Sequence, residues 1–502
     1  MITALILLVA VAILGWGFYR ARPFGKLGIL AWLQSVVLMA PWLTFFGLFT
    51  AGIYLNLAGV LLLLVGSIAL YILLGRQIRA VAGEAGVVKR VSMSSEDLPI
   101  EDANLKTNSA DEALPSIETS LKSEPSGDAL PSTIAPEDLQ AIKGIFGIET
   151  FFATDTIPYQ EGAIFKGNLR GEAQPTYDRL AANLKERLND RFRLFMVEGL
   201  EGKPAVIVLP KVDPKPVTIP QLILSLVLIV ATIATTLETS GLLRGFDFFD
   251  NLTRWREVLP ISVGILAVLA VHEIGHRVLA NRYQVRISPP FLIPTWQIGS
   301  FGGFFRFESV LPNRTTLFDI AFAGPAAGGL LAFVMLIVGL LLSHPGSLFQ
   351  LPTQFFEGSI LVGTLARIIL GDSVQQSLVD IHPLVMVGWL GLVINAINLM
   401  PAGQLDGGRI VQAIYGRKTA GRTTIATLLI LGLASLVNPL ALYWAVLILF
   451  LQRDLERPAL NELTEPDDAR AALGLLVLFL MAATLLPLTP GLAGRLGIGS
   501  SF

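Results

Sequence analysis

Long apolar runs are the feature that most constrains this chain. A transmembrane helix needs about 20 mostly apolar residues to cross roughly 30 Å of hydrocarbon. Such runs recur along the sequence, and 53% of the 502 residues are hydrophobic while only 15% are charged. We therefore predict a mainly α-helical, polytopic membrane protein that resides in a lipid bilayer. The predicted spans lie near residues 2–18, 29–48, 53–75, 219–237, 258–280, 317–342, 384–402 and 470–488, with a weaker helical hairpin at 422–437 and 440–452.

The composition excludes several classes of function. The sequence has no cysteine, so disulfides, thiolate metal sites and a cysteine nucleophile are ruled out. The net charge of −2 provides no general attraction to nucleic acid, and we expect no nucleic-acid partner. Only four histidines are available as metal ligands.

The region between the third and fourth predicted spans is predicted to be soluble. Residues 81–137 read as an acidic disordered linker, since 91–137 contain ten acids and two lysines with no apolar period. Residues 138–216 instead predict a small α/β domain, with a helix over 175–191 and strands at 192–199 and 204–209. The predicted domains are therefore an N-terminal membrane region of about three helices at 1–80, the acidic linker at 81–137 and the α/β domain at 138–216. A membrane core at 217–490 and a tail at 491–502 follow.

Basic residues in short loops predict the orientation of the chain. Clusters of Arg and Lys follow the first and third predicted spans, so both loops and the α/β domain should be cytoplasmic. By the same count, the 258–280 and 384–402 helices are predicted to end on the cytoplasmic side, with Arg277, Arg409 and their basic neighbours as loop charges. The short apolar stretch at 358–370 is predicted to be interfacial.

The chemistry concentrates in a His-Glu-x-x-His motif on the apolar 258–280 helix. His272 and His276 lie four residues apart on one helix face, so both imidazoles can reach one Zn²⁺. Glu273 then lies close enough to a metal-bound water to act as general base. Ionisable residues inside a span are costly and usually mark function. In the alternative interpretation the motif has no catalytic role, and it lies either at the exposed edge of a surface helix or at an interfacial helix end.

A catalytic zinc site takes three protein ligands, so a third ligand is needed. His344 and His382 fall on the far side and are poor candidates. Asp406 follows the helix break at Pro401, and one span separates the two motifs, which places Asp406 at the depth of His276. Its alternative reading is a turn aspartate before Gly-Gly. Asn398 is predicted to orient the substrate carbonyl, with a helix-packing amide as the alternative.

These two motifs together resemble the site-2 protease family of intramembrane metalloproteases, peptidase family M50. The spacing from Asn398 to Gly407 matches that family's Asn-x-x-Pro-x-x-x-Leu-Asp-Gly element without a gap. Gly167-Asn-Leu-Arg-Gly171, Gly299-Ser-Phe-Gly302 and Phe322-Ala-Gly-Pro325 are similar to the plant and cyanobacterial branch, named for ethylene-dependent gravitropism deficiency and yellow-green leaves. The resemblance covers about residues 138–488 and does not include the first three predicted spans or the acidic linker. No PDZ-like insert of the kind found in many bacterial members is evident in the sequence.

The resemblance implies that one zinc per chain is bound by His272, His276 and Asp406, with Glu273 as general base. It also implies cleavage of membrane-protein substrates near the cytoplasmic face of a transmembrane segment. The segment 287–315 would then pair with an unwound substrate, with Gly299, Gly302 and Gly303 as substrate-binding candidates, or would be a connecting loop. The apolar N-terminus is unlike a transit peptide, which favours a cyanobacterial plasma or thylakoid membrane.

Two other classes of function stay open at this stage. A transporter or ion-path protein would use the same His, Glu and Asp cluster, although no inverted repeat is evident. A catalytically silent scaffold is the third possibility, which the intact Glu273 argues against. A serine intramembrane protease is disfavoured because the sequence lacks a G-x-S-x-G element.

Overall fold

The computed structural model describes residues 14–50, scattered positions between 63 and 77, 134–159, 161–199, 202–212 and 217–498. The chain divides into two units, residues 1–114 and 115–502. In the first unit, a helical segment at 14–21 and a 3₁₀ turn lead into helix α1 (Gly25–Thr50). The predicted spans 2–18 and 53–75 lie largely outside the described residues, and so does the predicted linker up to residue 133.

The second unit begins with the predicted α/β domain. Its described elements are α2 (Pro136–Lys143), β1 (Phe151–Tyr159), β2 (Gly162–Leu169), α3 (Ala173–Leu188), β3 (Phe192–Glu198) and β4 (Pro204–Pro210). The strands form an antiparallel sheet in the order β1-β2-β4-β3. The helix and the last two strands occur where the apolar spacing predicts them, whereas α2 and the β1–β2 hairpin were not anticipated.

Helix α3 covers one face of this sheet. Leu180, Leu184 and Leu188 recur every four residues, and all three are buried against the sheet. Within the Gly-Asn-Leu-Arg-Gly motif, Gly167 lies so close to the Phe151 ring that a side chain would clash, while the Arg170 side chain is exposed. The first glycine of the motif is therefore explained by strand packing.

A connecting segment joins the α/β domain to the membrane core. Met196 on the outer strand β3 accepts a hydrogen bond from Glu462 N (2.9 Å) and donates one to Leu460 O (2.7 Å). The same segment bonds to the core, because Leu460 N donates to Leu311 O at 2.8 Å. Residues 460–462 thus act as a short added strand between the two parts.

Four helices in the described part of the core are long and apolar enough to span a membrane. They are α4 (Ile219–Leu243), α5 (Trp255–Arg282, extended by a 3₁₀ turn to Leu252), α6 (Arg314–Leu342) and α12 (Asp468–Leu485). Many of their outward side chains are exposed and apolar, as expected of residues that face lipid. The chain is therefore a mainly helical membrane protein that also carries a small α/β domain.

The predicted 384–402 span is shorter in the structure. Helix α9 (Pro383–Asn398) has 16 residues, or about 24 Å of helix. Pro401 and the turn that follows prevent its continuation, although Leu399 and Met400 extend the apolar run. Because α9 is almost completely buried, it is a central packing element of the core.

The remaining core elements are short or broken. They comprise β5 (Phe291–Thr295), β6 (Gly299–Phe304), β7 (Phe349–Pro352), α7 (Gln354–Glu357), α8 (Ile360–Leu370), β8 (Leu378–Ile381), α10 (Asp406–Ala434), α11 (Pro439–Leu447) with a π turn to Gln452, and α13 (Pro490–Leu496). Helix α10 is interrupted at Gly416, which has φ 80°. The predicted 422–437 and 440–452 pair corresponds to the end of α10 and to α11, separated at Asn438, which caps α11.

Packing in the core brings four elements around one point. Helix α6 packs against both α5 and α9, and α10 starts beside them. The β5–β6 hairpin lies against α4, where Thr235 donates to Gly299 O (2.6 Å) and Thr239 donates to Trp296 O (2.9 Å). These hydroxyls satisfy backbone carbonyls of the hairpin, which irregular backbone within a membrane core requires.

Candidate metal centre

His272, His276 and Asp406 converge at one buried point. The first two lie one turn apart on α5, and Asp406 is the first residue of α10. The Nε2 atoms of the histidines are 3.1 Å apart, and Asp406 Oδ2 lies 3.2 Å from the first and 3.4 Å from the second. Among the described residues, this is the one group of three His, Asp or Glu side chains that could hold a metal ion.

The geometry of the three ligand atoms fits zinc. A tetrahedral site with metal–ligand distances of about 2.0–2.1 Å places its ligand atoms about 3.3–3.4 Å apart, close to the separations observed. Asp406 Oδ2 is also buried without a hydrogen-bond partner in the described part of the chain. A buried carboxylate oxygen facing two imidazole nitrogens needs a cation or a proton for compensation. The donor set of two imidazoles and one carboxylate is one that zinc prefers.

The tautomers of both histidines are fixed by their outer nitrogens. His276 Nδ1 lies 2.7 Å from the Ile320 carbonyl, and His272 Nδ1 lies 2.8 Å from Asn395 Oδ1. Since Asn395 Nδ2 donates to Gly391 O, its Oδ1 is the acceptor, and both Nδ1 atoms carry the proton. Each Nε2 therefore presents a lone pair to the shared point, as a metal ligand must.

The role of Asn395 was missed by the sequence analysis. It lies three residues before Asn398 on the same buried helix, and an Asn-x-x-Asn pair in an apolar span was the available signal. The amide of Asn395 holds His272 from the neighbouring helix α9. An oxygen partner of this kind sets the ring orientation and increases the basicity of a histidine ligand.

Small residues on α6 make room for the two imidazoles. A side-chain carbon at Gly324 would overlap the His276 ring, and one at Gly328 would come within 2.8 Å of His272 Cβ. Gly329, on the outer side of the same helix, has open space around it. The close packing at Gly324 and Gly328 thus occurs directly behind His272 and His276.

Asp406 lies beside a buried ion pair. Arg409 is 1% exposed and bonds to Glu456 Oε2 through Nε (3.1 Å) and Nη2 (2.9 Å). Its Nη1 lies 3.9 Å from Asp406 Oδ1, and its Nη2 also donates to Phe305 O at 2.8 Å. The guanidinium stacks over the Phe305 ring, which in turn contacts His276. The interpretation of Arg409 as a cytoplasmic loop charge was therefore wrong, because it is an interior cation adjoining the metal centre.

Glu273 lines a small cavity beside the ligands. The cavity has room for about one water molecule. Its wall includes His272, Glu273, Asn398, Gly302 and Gly303. The Glu273 carboxylate also forms an ion pair of 2.7 Å with Arg277, one turn further along α5. The cavity is therefore bordered both by His272, one of the three converging side chains, and by Glu273.

Asn398 holds strand β6 against α9. Its Nδ2 donates to Phe301 O (3.1 Å) and to Ile394 O (2.8 Å), so both amide hydrogens are used inside the protein. Gly302 has φ 96°, and a side chain there would collide with the Asn398 amide. Asn398 must release Phe301 before it can bind a substrate carbonyl, and its predicted role stays a prediction.

The three candidate glycines do not lie together. Gly302 and Gly303 line the cavity with Glu273, whereas Gly299 packs on Thr236 of α4, away from the cavity lining. The other histidines also lie elsewhere. His344 is exposed in a loop, and His382 caps α9 by accepting from Leu384 N at 3.3 Å.

Two family models match the sequence. "Peptidase family M50" matches residues 260–438, which include all four residues of the metal and general-base set. "EGY3 middle domain" matches residues 140–216, which correspond to the α/β domain. No solved structure matches the chain.

Curated relatives are plant proteins. The probable zinc metalloprotease EGY2, chloroplastic, of Arabidopsis thaliana is 37% identical over 360 residues, which are 70% of this chain and 65% of that protein. EGY1 of the same plant is 36% identical over 406 residues, which are 73% of this chain and 74% of that protein. EGY3 of Oryza sativa subsp. japonica is 33% identical over 387 residues, or 71% of this chain and 65% of that protein. The chain thus spans just under two thirds of EGY2 and about three quarters of EGY1, and it belongs to peptidase family M50, in the group that contains the EGY zinc metalloproteases.

Proposed function

We propose that the chain is a zinc metalloendopeptidase that hydrolyses peptide bonds within or next to transmembrane segments of membrane proteins. The observation that carries this proposal is the buried triangle of His272, His276 and Asp406 with Glu273 at its edge. Because the described residues contain one such triangle, we expect one zinc per chain. The similarity to proteins named zinc metalloproteases supports the same activity.

The residues around the cavity have the chemistry that peptide hydrolysis needs. Zinc, when bound, supplies Lewis acidity that makes water nucleophilic at neutral pH and polarises a carbonyl. Glu273 accepts the proton of the attacking water and delivers it to the leaving amine. Asn395 and the Ile320 carbonyl hold the imidazoles in one orientation throughout, so that the ligands need no rearrangement.

The β5–β6 hairpin is suited to hold the substrate. A helical peptide bond is shielded, so the substrate must be extended near the cavity before attack. Gly302 and Gly303 line this cavity, which holds about one water molecule, so the hairpin must move before an extended backbone can approach them. The substrate would then pair with β6 as an added strand, while Asn398 fixes the strand or is recruited to the scissile carbonyl.

The membrane setting follows from the same features. Membrane-protein substrates reach the centre laterally, because the ligands lie on apolar helices. Basic loops support a cytoplasmic α/β domain, and we place the protein in a cyanobacterial plasma or thylakoid membrane. The transport alternative has less support, since two fixed tautomers and a fixed carboxylate favour a resident ion over a moving one.

The test compares wild type with Glu273→Ala in purified, full-length form. Zinc per chain is measured by elemental analysis, and cleavage is measured on a candidate transmembrane substrate in proteoliposomes. We expect one zinc in both proteins and cleavage by wild type alone. The matched control is Asp454→Ala, which removes a carboxylate far from Glu273 in the sequence whose side chain is 84% exposed. This variant should cleave the substrate at the wild-type rate.

Two results would contradict the proposal. If wild-type protein prepared without chelators contained no zinc, the metal centre could not take part in the mechanism. Cleavage by Glu273→Ala at the wild-type rate would remove the general base. Zinc movement across the liposome membrane in the absence of cleavage would support the ion-path alternative instead.

A further inference from the structure

A polar groove lies at the end of α5, outside the cavity of the metal centre. It encloses about 450 Å³ and is open to the surface. Its lining residues come from the end of α5 and the two short segments that follow: Arg277, Asn281, Gln284, Val285, Arg286, Ile287 and Glu308. The proposed peptidase chemistry assigns no role to these residues. Only Arg277 contacts the catalytic residues, through its ion pair with Glu273.

The charges in the groove favour an anion. Two guanidinium groups, Arg277 and Arg286, face one carboxylate, Glu308, and two side-chain amides add further donors. The Arg286 side chain makes no ion pair or hydrogen bond to the described residues. Arginine presents paired donors that match the oxygens of a phosphate group.

The surface of α5 next to the groove is apolar. Ile274 and Val278 are 55% and 57% exposed, as expected of side chains that contact lipid chains. Arg277 and Asn281 follow at the i+3 and i+7 positions from Ile274, so the four residues form one stripe along the helix. Apolar and polar side chains alternate along this stripe, so one ligand could contact the apolar Ile274 and Val278 and the polar Arg277 and Asn281 together.

We propose that this groove binds the phosphate headgroup of an anionic membrane lipid, whose acyl chain lies along Ile274 and Val278. The phosphate chemistry alone would also suit a soluble oxyanion. The exposed apolar side chains of Ile274 and Val278 favour a lipid, because free phosphate would form no favourable contact with them. Basic residues at a membrane surface attract anionic lipids by about 1 kcal/mol each.

The groove also adjoins the general base. Arg277 lines the groove and forms the 2.7 Å ion pair with Glu273. A lipid phosphate that binds Arg277 therefore competes with the Glu273 carboxylate for the same guanidinium. Lipid binding would release Glu273 from this ion pair, and this second step rests on the proposed peptidase function.

The binding test uses the full-length protein in nanodiscs of phosphatidylcholine, with or without phosphatidylglycerol. Native mass spectrometry counts the phosphatidylglycerol molecules that remain bound. We expect wild type to retain one, and Arg286→Gln to bind it about tenfold more weakly, the effect of losing one charge-assisted hydrogen bond. Arg422→Gln is the matched control, because Arg422 is exposed on α10 and makes no ion pair among the described residues.

Each outcome decides the proposal. An equal loss in Arg286→Gln and Arg422→Gln would show general charge attraction and overturn the site. Binding of inorganic phosphate in neutral nanodiscs, as tight as that of phosphatidylglycerol, would overturn the lipid as the source. The second step predicts that phosphatidylglycerol increases cleavage by wild type and not by Arg286→Gln. Retention of the lipid by a protein without any cleavage would leave the site intact and refute the peptidase.

Discussion

The two histidines and the aspartate of the metal centre are held in different ways. Each histidine makes a neutral hydrogen bond to a neighbouring helix, through Asn395 on α9 or the Ile320 carbonyl on α6. Asp406 instead lies beside the buried cation Arg409, which Glu456 neutralises. The histidine side thus depends on close helix packing, and the aspartate side depends on a buried cluster of two carboxylates and one guanidinium.

This difference has a physical reason. Neutral imidazoles need only one oriented acceptor each, which a helix backbone or an amide can provide. A carboxylate in the same apolar interior needs positive charge or hydrogen-bond donors nearby, and the Arg409 guanidinium lies 3.9 Å from Asp406 Oδ1. The chain therefore uses an ion pair from outside the family motifs to support a ligand within one of them.

The largest effect should come from packing behind His276. A side-chain carbon in Gly324→Ala would overlap the His276 ring, so we expect loss of zinc binding by more than about 100-fold. Zinc titration of the apo protein measures this. Gly329→Ala is the matched control on the same helix, because its site is open, and it should bind zinc normally. Normal zinc affinity in Gly324→Ala would show that the histidine side accommodates an added side chain at this position.

The next effect should come from the charge cluster. Arg409→Met leaves Glu456 buried without its partner, and we expect a loss of about 3–5 kcal/mol in the free energy of unfolding. Unfolding in denaturant in mixed micelles measures it, together with zinc retention. The double variant Arg409→Met, Glu456→Met removes both charges and should recover most of the stability. If stability returns but zinc affinity does not, Arg409 supports Asp406 directly.

The metal ligands themselves follow from local patterns. The four-residue spacing of His272 and His276 is a property of any helix, and the position of Asp406 follows from counting one span between the motifs. The structure brings the ligand atoms of these three side chains within 3.4 Å of one another. The helix at 173–188 of the α/β domain follows in the same way from its leucine spacing.

The supporting residues could not be predicted in this way. Arg409 looks like a loop charge because it follows an apolar run, and its burial depends on Glu456, 47 positions later in the chain. Gly299 stands in the same glycine-rich stretch as Gly302, yet the turn between β5 and β6 directs it toward α4. Such contacts arise from tertiary packing, on which hydropathy and spacing carry no information.

The smallest effect should come from the hydrogen bond to His272. Asn395→Ala removes the acceptor for Nδ1 but leaves the ligand and its helix in place, so we expect zinc affinity to fall about 10–100-fold. Competition with a zinc-binding dye measures the affinity. Asn395→Asp keeps an oxygen acceptor and should retain more of the affinity than alanine, whereas a purely structural role would make aspartate at least as harmful, because a carboxylate in a buried helix contact is costly. If Asn395→Ala lost as much zinc affinity as Gly324→Ala, the orientation of His272 would matter for zinc binding as much as the space behind the two rings.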